Sequence, residues 1–216
     1  PVKDALMYIE SRPYGYKGRG FLGESFYSAP NPPFGATFTY YLKEELKTKK
    51  KLRQEREKEI LKKGETPSYP TPDDLRAEDE EETPTVTLTV TDEAGNVVRR
   101  VKGSNSKGIN RVAWDLRYSL LEPVRMVEET PDAWTEAGQS PIAMPGTYKV
   151  SLSKRENGVV TELAAPQTFA AAALRTVTLA AIDRKALVEF QRKAAELQRA
   201  VLGASRAVDN VKDQIA

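Results

Sequence analysis

Thr85-Val-Thr-Leu-Thr-Val-Thr-Asp-Glu-Ala-Gly-Asn-Val-Val-Arg-Arg-Val101 decides the fold class. Val86, Leu88 and Val90 alternate with threonines, the period of a strand with one buried face. Val97 or Val98, with Val101, answers from a returning strand. Asp92-Glu-Ala-Gly-Asn96 between them has turn composition, and Gly95 is free to take positive φ. Read as a calcium loop, the stretch lacks alternating ligands and the distal Glu. Asn110-Arg-Val-Ala-Trp-Asp-Leu-Arg117 and Met144-Pro-Gly-Thr-Tyr-Lys-Val-Ser-Leu152 repeat the alternation and read as a second, broken hairpin. Asn157-Gly158 turns a last hairpin, pairing Thr147 to Leu152 with Val159 to Leu163. Trp114 is expected as a core anchor, with Asp115 or Arg117 bonding nearby backbone rather than serving catalysis.

Outward from this centre, Phe34-Gly-Ala-Thr-Phe-Thr-Tyr-Tyr-Leu42 reads as a strand, with Phe34, Ala36, Phe38 and Tyr40 on one face. Residues 43–82 interrupt the β pattern. Lys43 to Lys63 predicts a mixed basic helix that stops at Gly64. Pro67-Ser-Tyr-Pro-Thr-Pro72 forms an extended bend, and Asp73 to Glu82 opens a second short helix with acids at its positive end. Their opposite charges favour a helical hairpin. Lys49-Lys50-Lys51 reads as a solvated helix face balanced by the acidic run rather than as a polyanion site.

The expected fold is mainly β with α extensions: an Ig-like or fibronectin-like antiparallel β-sandwich with a charged helical insertion and a long C-terminal helix. Residues 1–33 form an irregular aromatic arm, 34–182 the sandwich with its insertion 43–82, and 183–216 the helix. Along that helix Leu187, Phe190, Ala194, Leu197, Val201, Ala204, Val208, Val211 and Ile215 keep an unbroken 3,4 spacing. This is a heptad stripe on a helix about 50 Å long. One sandwich does not cover that length, so the stripe needs a partner: a following helix, the inserted hairpin, or another subunit. Gly203, Ala194 and Ala204 suggest close helix approach.

Composition narrows the function. The 216 residues hold 33 basic and 31 acidic side chains for a net charge of +2, which gives no general attraction to nucleic acid or membranes. No apolar run approaches the roughly 20 residues of a membrane span. The chain has no His and no Cys. That removes Ser-His-Asp and Cys-His machinery, thiolate nucleophiles, disulfides and the commonest metal ligands. No catalytic residue, cofactor or metal is expected. A Cys-free composition suits an exported bacterial protein as well as a cytoplasmic one. The start, Pro1-Val-Lys-Asp, carries neither an initiator Met nor a signal peptide, and reads as a processed or excised piece.

Val-Thr-Asp-Glu-Ala-Gly-Asn-Val-Val-Arg, Asn-Arg-Val-Ala-Trp-Asp-Leu-Arg and Met-Pro-Gly-Thr-Tyr-Lys-Val resemble the Ig-like domain of flagellar hook-capping (FlgD-like) proteins. Asn31-Pro-Pro-Phe-Gly-Ala-Thr-Phe-Thr-Tyr-Tyr-Leu-Lys43 and Tyr69-Pro-Thr-Pro-Asp-Asp-Leu-Arg-Ala-Glu78 resemble the C-terminal region of bacterial sortilin-like, BNR-repeat β-propeller proteins often labelled glycosyl hydrolases. The resemblance implies a propeller before Pro1, the arm as its exit segment, and a periplasmic, cell-surface or secreted location. Any glycosidase site would then belong to the propeller, so no catalytic residue carries over.

The expected function is a non-catalytic structural and interaction module that supports or attaches a propeller. Its partner is the propeller of the parent chain or another subunit, with helix-mediated self-association as an option. Contacts are expected from Tyr14, Tyr16, Phe21 and Phe26 on the arm, and from Leu187, Phe190, Leu197, Val201, Val208 and Val211 on the helix. The alternative is a carbohydrate-binding accessory domain in which Trp134, in the long loop Tyr118 to Ile142, stacks on sugar rings. A third reading, a carboxylate-only glycoside hydrolase, requires two carboxyls about 5 to 9.5 Å apart in a cleft.

Overall fold

The computed structural model describes residues 4–7, 33–121, 123, 140–174 and 181–215. They fall into two compact units. One holds Thr37–Trp114 and Tyr148–Phe169, and the other holds the remaining described residues. The elements, in chain order, are β1 (Ala5–Met7), β2 (Ala36–Leu42), α1 (Lys49–Lys62), α2 (Pro72–Asp79), β3 (Thr85–Thr91), β4 (Val97–Gly103), β5 (Gly108–Trp114), β6 (Gly146–Glu156), β7 (Val159–Ala173) and α3 (Ala181–Ile215). Helix and strand share the described residues about evenly. The chain is therefore mixed α/β rather than mainly β, because α3 alone runs 35 residues.

One sheet has the strand order β1-β7-β6-β3-β4, and a second pairs β2 with β5. β3 is central to the first sheet and antiparallel to both neighbours. Leu88 lies opposite Val101 of β4 and Leu152 of β6. Its alternation works as read: Val86, Leu88 and Val90 are buried and the threonines half-buried. From β4 it is Val98 that is buried, while Val97 is exposed. The register slips between Val90 and Thr91, which brings Thr91 opposite Val97 at the turn. Gly95 has φ +86° there, and Asp92 accepts hydrogen bonds from the Asn96 backbone N–H and side-chain amide at 2.8 and 3.0 Å. Those bonds hold the Asp92 carboxyl below its ordinary pKa. Asn157 and Gly158 both take positive φ between β6 and β7, as a two-residue primed hairpin turn demands.

The second hairpin expected from sequence does not form. β5 pairs with β2, and β6 pairs with β3 and β7, so the two runs lie in different sheets. Rings join the sheets within the first unit. Phe38 of β2 meets Phe169 of β7 edge-on at 5.3 Å, and Trp114 of β5 meets Tyr148 of β6 at 5.3 Å and Phe169 at 6.1 Å. Trp114 is 1% exposed, the core anchor that was expected. Tyr40 is buried on the same face of β2 as Phe38. Its hydroxyl donates to the Ser104 carbonyl at 2.7 Å, and burial pushes its pKa up despite that bond. Gly103 is required beside it, since a Cβ there would collide with the Tyr40 ring and hydroxyl.

The insertion folds as a helical hairpin. The first helix begins at Lys49 rather than Lys43, because Thr48 caps it by accepting from the Lys51 N–H. Just before the cap, the Leu46 N–H bonds the Asn105 carbonyl. Thr71 and Asp74 form a capping box around α2, with Pro72 in its first turn. Neither helix buries a residue. The pair is held by charge: Arg53 grips Glu78 through two N–H···O bonds of 2.6 and 2.9 Å and also bonds Glu57 at 2.7 Å. The Lys49 backbone N–H donates to Glu81 at 2.6 Å.

In the second unit, β1 runs parallel to the end of β7, with Ala5 opposite Ala171. The ends of the long loop after β5 are fastened together. Arg117 bridges Ile142, the Ala143 N–H donates to the Leu116 carbonyl, and the Ser140 hydroxyl donates to the Tyr118 carbonyl. Leu116 is fully buried at φ 55°, a left-handed conformation costly for a branched side chain. The Asp115 carboxylate, accepting from the Arg117 N–H, braces that bend.

Candidate interaction surface

Among the described residues, no group of three or more His, Cys, Asp or Glu side chains gathers to hold a metal. Asp115 is engaged with the Arg117 backbone. Lys49, Lys50 and Lys51 lie exposed in the first turn of α1, and Lys51 pairs with Glu45. None of the described helices is long and apolar enough to cross a membrane. Tyr14, Tyr16, Phe21, Phe26 and Trp134 lie outside the described residues.

What remains is α3. Its Ala, Leu, Glu, Gln, Lys and Arg content favours helix throughout, it holds no Pro, and Asp183 and Lys212 sit at the ends where the macrodipole favours them. All nine residues of the heptad stripe are exposed. Phe190 is 70% exposed, Leu197 67% and Ile215 81%. The six stripe residues singled out from sequence thus share one continuous face, about 42 Å from Leu187 to Ile215 at 1.5 Å per residue.

A different face of α3 meets its own unit. Arg184, Val188, Gln191, Ala195, Leu202, Gly203 and Arg206 are half-buried. The Arg192 guanidinium lies 5.2 Å over the Tyr118 ring, a cation–π geometry. Arg206 donates to the Pro123 carbonyl at 3.3 Å. A Cβ on Gly203 would reach ordinary contact with Pro123. Gly203 therefore faces the chain's own loop and does not belong to the stripe, contrary to the expectation that it marks a helix–helix approach. At about 100° per residue the two faces are separated by about 150° around the helix, so docking one leaves the other in water. Sequence reading missed the docked face. Its signal was present in Val188, Ala195 and Leu202, a second apolar row at seven-residue spacing beside the longer one.

Comparisons with protein-family models, with curated proteins and with solved structures find nothing that matches this chain.

Proposed function

We propose that this chain is a non-catalytic structural and interaction module that supports or attaches a β-propeller in a larger exported bacterial protein or assembly. The observation that carries the reading is the stripe of α3, exposed over its whole length while another side of the helix is fastened to its own loop. Exposed apolar area is unfavourable by about 25 cal/mol per Å², and a continuous patch of this kind marks an association surface. The ring contacts of Phe38 and Trp114 with Tyr148 and Phe169 support reading the two sheets as layers of an Ig-like or fibronectin-like sandwich, a scaffold that commonly carries such surfaces. The resemblance of the hairpin and its neighbouring strands to FlgD-like and sortilin-like proteins supports the propeller context and the exported location.

The test is the double variant Leu197→Asp with Val208→Asp. It keeps its helix content by circular dichroism and, in sedimentation, loses the association of the propeller-bearing parent protein into its larger assembly. Unchanged association in the folded variant would overturn the proposal.

A further inference from the structure

We propose that the occupant of the α3 stripe is α3 of a second copy of this chain, packed antiparallel. This rests on reading the stripe as an interaction surface and adds what covers it.

A stripe that holds a strict 3.5-residue period over nine positions matches a surface of the same period, which another supercoiled helix provides. The same helix in a second copy fits it in both charge and volume. The positions flanking the stripe are Ala, Gln or Ser except for Lys193 and Lys212. In the antiparallel register that sets Val201 against Ala204 of the other copy, Lys193 faces Gln214 and Lys212 faces Gln191. No like charges meet, and Ala200 opposes Ala207 near the centre, where small side chains let the helices approach.

Volume selects the direction. Antiparallel packing sets Phe190 against Ile215, Ala194 against Val211 and Leu197 against Val208, so each layer mixes sizes. A parallel pair in register stacks Phe190 on Phe190 and Ala194 on Ala194, alternating a bulge with a gap that close packing disfavours. Opposed macrodipoles add to the same preference.

From Phe190 to Ile215 the seam is about 38 Å long and a helix about 10 Å wide, a footprint of roughly 400 Å² per copy. The two together, about 800 Å², fall short of the roughly 1,200 Å² of stable specific interfaces, so the dimer is weak and concentration-dependent. The docked face of α3, with Val188, Leu202 and Arg206, stays on its own unit and need not open.

Sedimentation equilibrium of the full chain should show monomer passing to dimer with rising concentration, and Leu197→Asp with Val208→Asp should stay monomeric. Because the chain has no Cys, direction is read by disulfide trapping. Lys193→Cys and Gln214→Cys chains, prepared separately, should give a linked dimer on mixing and little alone, which holds even if the Asp variant fails to fold. No linkage on mixing, in chains that sedimentation shows to be dimeric, overturns the antiparallel pairing. A wild-type chain that stays monomeric at every concentration overturns self-association. The interaction reading survives that result if the Asp variant still loses association with a different subunit of the assembly, and falls with it if no association depends on the stripe.

Discussion

β3 and α3 each carry apolar residues in a strict register, and their fates are opposite. In β3 the period of two sends Val86, Leu88 and Val90 to one face, and that face is buried in a strand with neighbours on both sides. In α3 the period of three and four gathers nine residues on one face, and all nine stay in water. The difference is one of supply. A strand in mid-sheet acquires neighbours through its backbone hydrogen bonds, which bring their side chains with them. A helix satisfies its own backbone and attracts a neighbour only through its side chains. The α1–α2 hairpin is a third solution, two helices with no buried residue joined by the Arg53–Glu78 fork.

One substitution made in both regions tests the contrast most severely. Leu88→Ala should cost about 2–5 kcal/mol of unfolding free energy, whereas Leu197→Ala in a dilute, monomeric sample should stay within about 0.5 kcal/mol. Urea melts of the two variants decide it, and equal losses would mean that the stripe is covered. Gly103→Ala tests how tightly the β side is closed. Collision with Tyr40 should cost about 1–3 kcal/mol, and a shorter residue at position 40 should restore part of it.

Smaller effects separate the charged hairpin from both. Arg53→Ala should speed hydrogen exchange at the amides of α1 and α2 and leave β3 amides unchanged, since the lost bonds lie within the insertion. Acid should act in the same place. The Arg53 guanidinium holds the Glu78 carboxyl below its ordinary pKa. The pairing therefore contributes stability above the ordinary carboxylate pKa and loses it as pH falls through the lowered folded-state value. Exchange in α1–α2 should rise through that acid window before β3 responds, and added salt at neutral pH should produce a weaker version of the change.

Much of the local structure was legible in the residues. The turns at Gly95 and at Asn157-Gly158, the buried faces of β2 and β3, Trp114 in the core and the heptad stripe all follow from periods and turn chemistry read over a few residues. The pairing of β5 and β6 was not. A loop of more than 20 residues separates them, and no turn signal there says which strand each will meet. The start of α1 was misplaced because the basic composition runs straight through Thr48, and only the cap geometry picks that residue out. The docked face of α3 was overlooked because Val188 and Leu202 stand beside a longer row that dominates the pattern.

By itself the sequence determined that β3 alternates, that α3 is a long helix with one apolar face, and that His and Cys chemistry is absent. These are properties of neighbouring residues and of composition, so chain order suffices to set them. Tertiary structure alone decided that β6 closes on β3 while β5 goes to β2, and that Arg192, Gly203 and Arg206 fasten α3 to Tyr118 and Pro123 by the face that is not the stripe. Those outcomes depend on which distant surfaces compete best for one another, and that competition is settled only when the whole chain packs.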